Sequence, residues 1–157
     1  MPPIEKQYLN ALETLSATLD GRLDVWALTG STSFVLQGVP LTPNDIDVQT
    51  TEDGAYAIEK LFAEEIVEPI SFSETETICS HFGAFELDDV RVEVMGAIQK
   101  RQSDGTWEPP VDISEHRRFV DLDDIRIPVL SLQYEAEAYE ALGRSERANL
   151  LSEYIEE

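Results

Sequence analysis

The sequence predicts an α+β fold, a mixed β-sheet with helices packed on one face. Stretches of alternating polar and apolar residues, typical of half-buried strands, occupy the middle of the chain, and apolar residues at helical spacing occupy both ends. The chain has 157 residues, of which 42% are hydrophobic. Because this is enough apolar material for one core, we expect a single domain over residues 1–157, with its core at about 23–98 and C-terminal helices at about 131–155.

The first element is predicted to be an amphipathic helix. Its apolar residues recur at intervals of three or four, until Asp20-Gly21 ends the pattern. The recurring residues are Ile4, Tyr8, Leu12, Leu15 and Leu19.

A strand, a turn and a short helix are predicted next. Residues 23–28 form an apolar run of strand length, Gly30-Ser31 interrupts it, and Gly38 with Pro40 ends the following helix after about two turns. Ser31 suits an N-cap, and the first amides of a helix favour an anion because they lack backbone partners and lie at the positive end of the helix dipole. Gly30 lets the backbone approach a ligand closely, so a triphosphate fits this turn.

Two acidic residues lie in the next predicted strand, Asp45-Ile46-Asp47-Val48. Successive side chains of a strand point to opposite faces, so both carboxylates share one face while Ile46 and Val48 enter the core. Such a pair can bind hard cations, and Mg²⁺ takes oxygen ligands from protein and nucleotide together. A site of this kind usually needs a third acidic group.

Glu93 is the best candidate for the third carboxylate. It lies in the alternating strand 90–95, which is predicted to form a hairpin with residues 82–87 through a short Asp-Asp turn. This register places Glu86 opposite Arg91. We therefore interpret Arg91 first as a cross-strand partner of Glu86 and only second as a phosphate ligand.

Further elements flank this region. Thr51, followed by two acids, has the features of a capped helix start, and residues 66–72 are predicted to form a strand. Residues 101–110 carry strong breakers and are predicted to be a loop. Trp107 in this loop is interpreted as packing over a neighbouring strand, with base stacking as the less favoured alternative.

The C-terminal part is predicted to end in an αα-hairpin. Residues 132–142 and 145–154 form its helices, joined at Gly143-Arg144, and they cover the sheet or line an acceptor cleft. The pair Arg117-Arg118 is the densest cluster of basic residues. We interpret it as part of an ion-paired loop in preference to an anion-binding site. Three other reactive side chains are assigned structural roles because no ligand-spaced neighbours accompany them: Cys79, His81 and His116.

The motifs together resemble a known superfamily. Leu28-Thr29-Gly30-Ser31, then Asn44-Asp45-Ile46-Asp47-Val48, then a later strand carrying Glu93 is similar to the DNA polymerase β-like nucleotidyltransferases. In that superfamily a Gly-Ser or Gly-Gly turn precedes an acidic pair by about this distance, and a third carboxylate comes from a later strand. The match covers about residues 23–95 and is closest to the small single-domain members, both antibiotic-modifying and minimal toxin–antitoxin types.

This resemblance implies a metal-dependent transfer of a nucleoside monophosphate from an NTP to a hydroxyl of a small-molecule or protein acceptor. Asp45 and Asp47 would hold two Mg²⁺ ions, and Glu93 would ligate the second ion or accept the acceptor's proton. The Gly30-Ser31 turn would hold the triphosphate during in-line attack. The alternative is a non-catalytic nucleotide-binding or toxin–antitoxin-type regulatory module with the same fold.

The acidic pair has to be weighed against chance, because 32 of the 157 residues are acidic. Two further triplets of the same form, Asp121-Leu122-Asp123 and Glu86-Leu87-Asp88, follow no Gly-Ser at a suitable distance, and we interpret them as solvated loop or turn. Gly-Ser occurs only once in the sequence. The functional interpretation is therefore preferred over a plain interaction protein with an acidic surface.

The amino-acid composition limits the classes of binding partner that we expect. A net charge of −21, with three lysines and eight arginines, argues against nucleic acid, whose phosphates would be repelled. The charge is spread along the chain, which is typical of proteins from halophilic sources. The N-terminus lacks the features of a signal peptide, so a cytoplasmic protein is expected. Because the helical tail is short, we expect a homodimer or a partner chain to complete the cleft.

Overall fold

The computed structural model describes residues 5–23 and 25–155, and Ile4 of the predicted first helix lies outside them. The helices are α1 Lys6–Leu19, α2 Gly30–Leu36, α3 Glu52–Leu61, α4 Ile113–His116, α5 Leu132–Ala141 and α6 Ser145–Ser152. The strands are β1 Trp26–Thr29, β2 Ile46–Thr50, β3 Ile66–Glu74, β4 Ile78–Leu87, β5 Val90–Lys100, β6 Arg117–Leu122 and β7 Ile125–Leu130.

The strands form one mixed sheet in the order β3-β4-β5-β2-β1-β7-β6. The β2–β5 and β1–β7 pairs are parallel, and the remaining neighbours are antiparallel. The predicted α+β class with a mixed sheet is confirmed, but the prediction that the helices pack on one face is wrong, because α1 and α3 cover one face and α5 lies on the other. This order places β2, with its acidic residues, at the centre of the sheet between β1 and β5.

The main core lies between the sheet and two helices. Apolar residues of α1 and α3 pack against one face of the sheet, where Ile46 and Val48 of β2 are completely buried, as predicted. On the opposite face Ala27 of β1 packs in a smaller cluster with Ile113, and Tyr134 of α5 lies against it. The polar residues of β2 therefore point to the side of the sheet that carries α5.

The β4–β5 hairpin has the predicted register, with Glu86 opposite Arg91. Asp88 and Asp89 close it with φ of 52° and 65°, as a two-residue turn of primed type requires. The predicted contact of Arg91 is wrong, however. Its guanidinium binds Glu93 and Glu68 instead of Glu86.

A second hairpin, β6–β7, was not predicted. Arg117-Arg118 and Asp121 lie in β6, and Asp121 pairs with Arg126 of β7, so the interpretation of these residues as loop is wrong. The turn is at Asp123, which has a φ of 52°. The sequence signal is weak here because Pro128 interrupts β7 and proline is unfavourable within strands.

The two ends of the chain match the predictions more closely. Helix α1 ends at Leu19 and the α5–α6 hairpin turns at Gly143, as expected. Strand β1 is shorter than predicted, since it begins at Trp26 and Leu23 instead donates its backbone N–H to the carbonyl of Leu19. No helix formed by the described residues has the length and apolar character needed to cross a bilayer.

The side chains assigned to structural roles have local partners. Cys79 is buried, and the imidazole of His81 lies 3.1 Å from the Tyr56 hydroxyl. The His116 ring stacks on Tyr134 at 4.1 Å between centroids. Trp107 packs against the guanidinium of Arg101 at 4.4 Å, which is a contact within the predicted loop region.

Candidate active site

Three polar residues form a row across the centre of the sheet. Thr29 at the end of β1 pairs with Asp47 of β2, and Asp47 pairs with Glu93 of β5. Directly paired residues on adjacent strands point to the same face. The sheet therefore brings together two of the three predicted carboxylates, and the row lies on the face that carries α5.

The environment of Asp47 strongly disfavours its negative charge. Burial and then the charge of Glu93, to which it is also hydrogen bonded, raise the pKa of Asp47 to about 8, and the charges of Asp45 and Glu135 act in the same direction. Asp47 and Glu93 thus form a pair whose mutual repulsion a bound cation can relieve.

Glu93 is held in place by Arg91. The guanidinium Nε donates to Glu93 Oε2 at 2.8 Å, and the same side chain reaches Glu68 of β3 at 3.1 Å. The side chain of Glu93 remains 25% exposed, so it is accessible from solvent. Arg91 thus orients the carboxylate from the flank, and no separate phosphate-binding role is needed to explain its position.

Asp45 lies just before β2 and outside the paired row. Its carbonyl accepts a hydrogen bond from Thr32 Oγ1 at 3.1 Å, and its side chain is half-buried. Its charge is close enough to raise the pKa of Asp47. The structure therefore places Asp45 at the rim of the site, beside the Asp47–Glu93 pair.

The turn between β1 and α2 lies directly over Asp47. Gly30 has a φ of +76°, and a Cβ at this position would collide with the Asp47 carboxylate. The predicted capping role of Ser31 is wrong, because α2 begins at Gly30 with Thr29 as its N-cap. Ser31 Oγ instead accepts the backbone N–H of Asn44 at 2.9 Å. This bond ties the turn to the loop that precedes the acidic strand.

Glu135 of α5 is a fourth carboxylate at this site, and the sequence analysis missed it. It is 4% exposed, its Oε2 accepts the Thr29 hydroxyl at 2.6 Å, and the Gly30 N–H also binds it. Burial raises the pKa of Glu135 to about 7, although the two hydrogen bonds and the charge of Lys100 lower it. The one signal in the sequence was an acid between Leu132 and Ala136 on the buried side of a predicted helix.

Two arginines flank the same side of the molecule. Arg144 and Arg147 line a cavity of about 510 Å³ at the α5–α6 turn, and the Arg144 guanidinium lies 4.9 Å from the Tyr139 ring centroid. Burial, followed by the charge of Glu135, raises the pKa of Tyr139, and the charge of Asp47 acts in the same direction. The charges of the two arginines lower this pKa. Tyr139 is therefore within electrostatic range of the arginines and of the acidic row.

The residues present suit a magnesium ion whose shell is completed by substrate. Within the described residues no three His, Cys, Asp or Glu side chains are arranged to hold a metal ion. The converging groups are two carboxylates, Asp47 and Glu93, and Mg²⁺ commonly binds through one or two carboxylates plus substrate phosphates and waters. Gln49, on the same face of β2, has a buried Oε1 without a partner among the described residues, which adds an oxygen acceptor beside this pair.

Solved structures with this fold define the class of protein. A nucleotidyltransferase candidate from Thermotoga maritima, TM1012, is 49% identical, with a TM-score of 0.87 over 97% of this chain and 94% of that chain. The lincosamide antibiotic adenylyltransferase LnuA, in a lincomycin-bound structure, is 13% identical with a TM-score of 0.56 over 97% and 98% of the two chains, and it shows the fold alone. The class is that of the DNA polymerase β-like nucleotidyltransferases, as the sequence motifs predicted.

The family follows from the sequence match. The family described as aminoglycoside-2''-adenylyltransferase matches residues 11–154, and the chain belongs to this family. No curated protein gives a significant match.

Proposed function

We propose that this protein is a Mg²⁺-dependent nucleotidyltransferase that moves a nucleoside monophosphate from an NTP to a hydroxyl of a small-molecule acceptor. The observation that carries the proposal is the register pair Asp47–Glu93 directly beneath the Gly30 turn. This arrangement combines a site for a divalent cation with a backbone that approaches it closely, as a metal-bound triphosphate requires.

ATP is the proposed donor. The family is described as an adenylyltransferase family, and LnuA, which shares the fold, is an adenylyltransferase. Gly30 and Ser31 are proposed to contact the triphosphate, because the turn they form lies over Asp47 and is held there by Asn44 and Glu135. The turn is thus positioned before any ligand arrives.

Asp45, Asp47 and Glu93 are the proposed magnesium ligands, two ions being expected for this class. When bound, magnesium neutralises phosphate charge and lowers the pKa of a hydroxyl. Asp47 and Glu93 are suited to this role because a bound cation would relieve the repulsion between their carboxylates, which raises the pKa of Asp47 in the free protein. Asp45 at the rim supports the site with a further negative charge.

Glu93 is also the proposed proton acceptor. As the acceptor oxygen bonds to the α-phosphorus, the bond to the pyrophosphate oxygen breaks and the hydroxyl proton passes to a carboxylate. Glu93 is 25% exposed and fixed by Arg91 at 2.8 Å, so it is both accessible and oriented. Asp47 is more enclosed and better suited to metal binding alone.

Arg144 and Arg147 are proposed to face the triphosphate. A protein of net charge −21 must offset the repulsion of a polyanionic donor near its own carboxylates. Within the described residues neither arginine is ion paired, although Arg91 is. Both lie within range of Tyr139, as does Asp47, so they are the cations best placed to bind phosphate oxygens.

The cellular setting is inferred from the composition. The dispersed acidic charge supports a cytoplasmic protein adapted to high salt. The side chain of Glu93 is 25% exposed, and a second copy or a partner chain is proposed to complete the acceptor cleft. The runner-up function is a non-catalytic nucleotide-binding or regulatory module, which would need no proton acceptor at Glu93.

Transfer of the labelled nucleotide tests the proposal. The protein is incubated with Mg²⁺ and each α-labelled NTP against a panel of hydroxylated small molecules, and labelled adduct and pyrophosphate are measured. We expect transfer from ATP that Glu93→Gln and Asp47→Asn abolish and that the exposed-surface control Asp124→Asn retains. Nucleotide binding without pyrophosphate release across the panel would favour the regulatory module.

A further inference from the structure

We propose that Glu135 is a positioning residue of the transfer site, which fixes the β1–α2 turn against Asp47 by accepting hydrogen bonds from Thr29 and Gly30. This inference rests on the proposed function and extends the site from the sheet to helix α5. It assigns a role to the C-terminal hairpin that the three proposed metal ligands Asp45, Asp47 and Glu93 do not explain.

The contacts of Glu135 are specific to the turn. Its Oε2 accepts the Thr29 hydroxyl at 2.6 Å, across 106 residues of sequence, and the Gly30 N–H is its second donor. Thr29 is also the register partner of Asp47. Glu135 therefore holds both the end of β1 and the first residue of α2, the two points that set the height of the turn above Asp47.

Stability alone does not account for a carboxylate at this position. Glu135 is 4% exposed, and burying a charge is costly unless well-formed partners compensate it. Within the described residues no basic group forms an ion pair with it, and Lys100, whose charge reaches it, donates to the Tyr134 hydroxyl at 3.4 Å. The carboxylate is best explained by the two donors that it orients, Thr29 and Gly30.

The geometry gives this positioning a functional consequence. The Gly30 turn has no space for even a Cβ on the Asp47 side, so a small displacement changes its distance from the proposed metal site directly. Misplacement of reacting groups by about 1 Å can cost on the order of 100-fold in rate. Releasing the turn from Glu135 should therefore lower the rate of transfer more than it lowers stability.

The experiment compares Glu135→Gln with the matched control Glu137→Gln, an exposed residue of the same helix. The amide nitrogen that Glu135→Gln introduces cannot accept a hydrogen bond, so the side chain keeps one accepting oxygen for its two donors. We expect kcat to fall at least tenfold, the acceptor KM to stay within twofold, and the melting temperature to fall by no more than about 4 °C. Glu137→Gln should leave all three values unchanged.

Thr29 supplies an independent pair of variants. Thr29→Val removes the hydroxyl donor while keeping the shape and should reproduce the loss in kcat, and Thr29→Ser keeps the donor and should restore it. The double variant Thr29→Val/Glu135→Gln should lose less than the sum of the two single losses, because the Thr29–Glu135 hydrogen bond is shared by both changes. Additive losses would contradict the proposal.

A readout without turnover separates this inference from the proposed function. Amide hydrogen exchange at Gly30 should accelerate at least tenfold in Glu135→Gln, and the Kd for Mg·ATP should rise at least fivefold. Unchanged exchange, or kcat and Kd both within twofold of an active wild type, would overturn the positioning role. A wild type that binds no Mg·ATP would refute the proposed function, and Gly30 exchange would still decide whether Glu135 fixes the turn.

Discussion

Asp47 and Glu93 are register partners on the parallel strands β2 and β5, and the Glu93 carboxylate acts on Asp47 through its charge and a side-chain hydrogen bond. The sheet holds the two carboxylates close together although their negative charges repel. Burial and the charge of Glu93 raise the pKa of Asp47 to about 8. The free protein thus carries electrostatic strain at the position where a divalent cation would relieve it.

Asp47→Asn should stabilise the metal-free protein at alkaline pH. The folded-state pKa of Asp47, about 8, lies above its ordinary value of 3.8. Its favourable contribution is therefore complete below pH 3.8 and is lost as the pH rises through 8. Thermal unfolding should give a melting temperature for the variant higher by on the order of 2–4 °C at pH 9, with the difference vanishing near pH 4.

Magnesium should make wild type more stable than Asp47→Asn, which reverses the order of their melting temperatures. Added Mg²⁺ should raise the melting temperature of wild type and leave Asp47→Asn unaffected, because ligand binding stabilises only the protein that binds it. Asp124→Asn in the β6–β7 turn is the control and should follow wild type throughout. An Asp47→Asn protein less stable than wild type at pH 9 without metal would contradict the strained pair.

Gly30→Ala should abolish Mg·ATP binding although its effect on stability is modest. Both Gly30 (φ +76°) and Gly21 (φ +77°) adopt a left-handed backbone, but only at Gly30 would a Cβ meet the Asp47 carboxylate. The left-handed backbone should cost each variant about 1 kcal/mol in free energy of unfolding, and displacement of the Asp47 carboxylate adds to the cost at Gly30 alone. Calorimetric titration should then show binding in Gly21→Ala and none in Gly30→Ala; equal affinities would mean that the turn does not contact the nucleotide.

Arg147→Ala should raise the KM for ATP, the proposed donor. If the guanidinium binds a phosphate oxygen, its removal costs about 1.5–3 kcal/mol, a rise in the ATP KM of tenfold or more. Steady-state kinetics with saturating acceptor measures this. Arg126→Ala, which removes an arginine stacked on Phe119 at 4.8 Å, controls for the loss of positive charge and should leave the KM within twofold.

Salt should stabilise the protein as a whole. A net charge of −21 destabilises the compact state through self-repulsion, which counterions screen within about 10 Å at 0.1 M ionic strength and about 3 Å at 1 M. Urea unfolding should give a free energy of unfolding that rises steadily between these concentrations. A flat or falling dependence would refute the expected adaptation to high salt.

The sequence predicted the centre of the fold well because its signals there are local. Alternation placed Ile46 and Val48 in the core, and the two-residue connection set the register of Glu86 against Arg91. Glu93 was predicted as the third carboxylate from its alternating strand and from the superfamily resemblance, but its pairing with Asp47 was not, since no local pattern states that β2 and β5 are neighbours. Their role as metal ligands remains a prediction.

The features that were not predicted from the sequence depend on contacts between residues far apart in the chain. Glu135 joins the site across 106 residues, and its own neighbourhood has the pattern of an ordinary acidic helix. Ser31 was expected to cap α2, but tertiary contacts place the helix start at Gly30 and turn Ser31 toward Asn44. The β6–β7 hairpin was hidden because Pro128 and several charges weaken its alternating pattern.

The central claim, that the acidic row binds a metal-bound nucleotide, is tested most directly by calorimetry. Mg·ATP is titrated into wild type and into Asp45→Ala/Asp47→Ala in high salt, with ATP in the presence of a chelator as the metal-free control. We predict saturable binding to wild type that needs magnesium and is lost in the double variant. Equal binding by the two proteins, or no binding to wild type, would contradict the account.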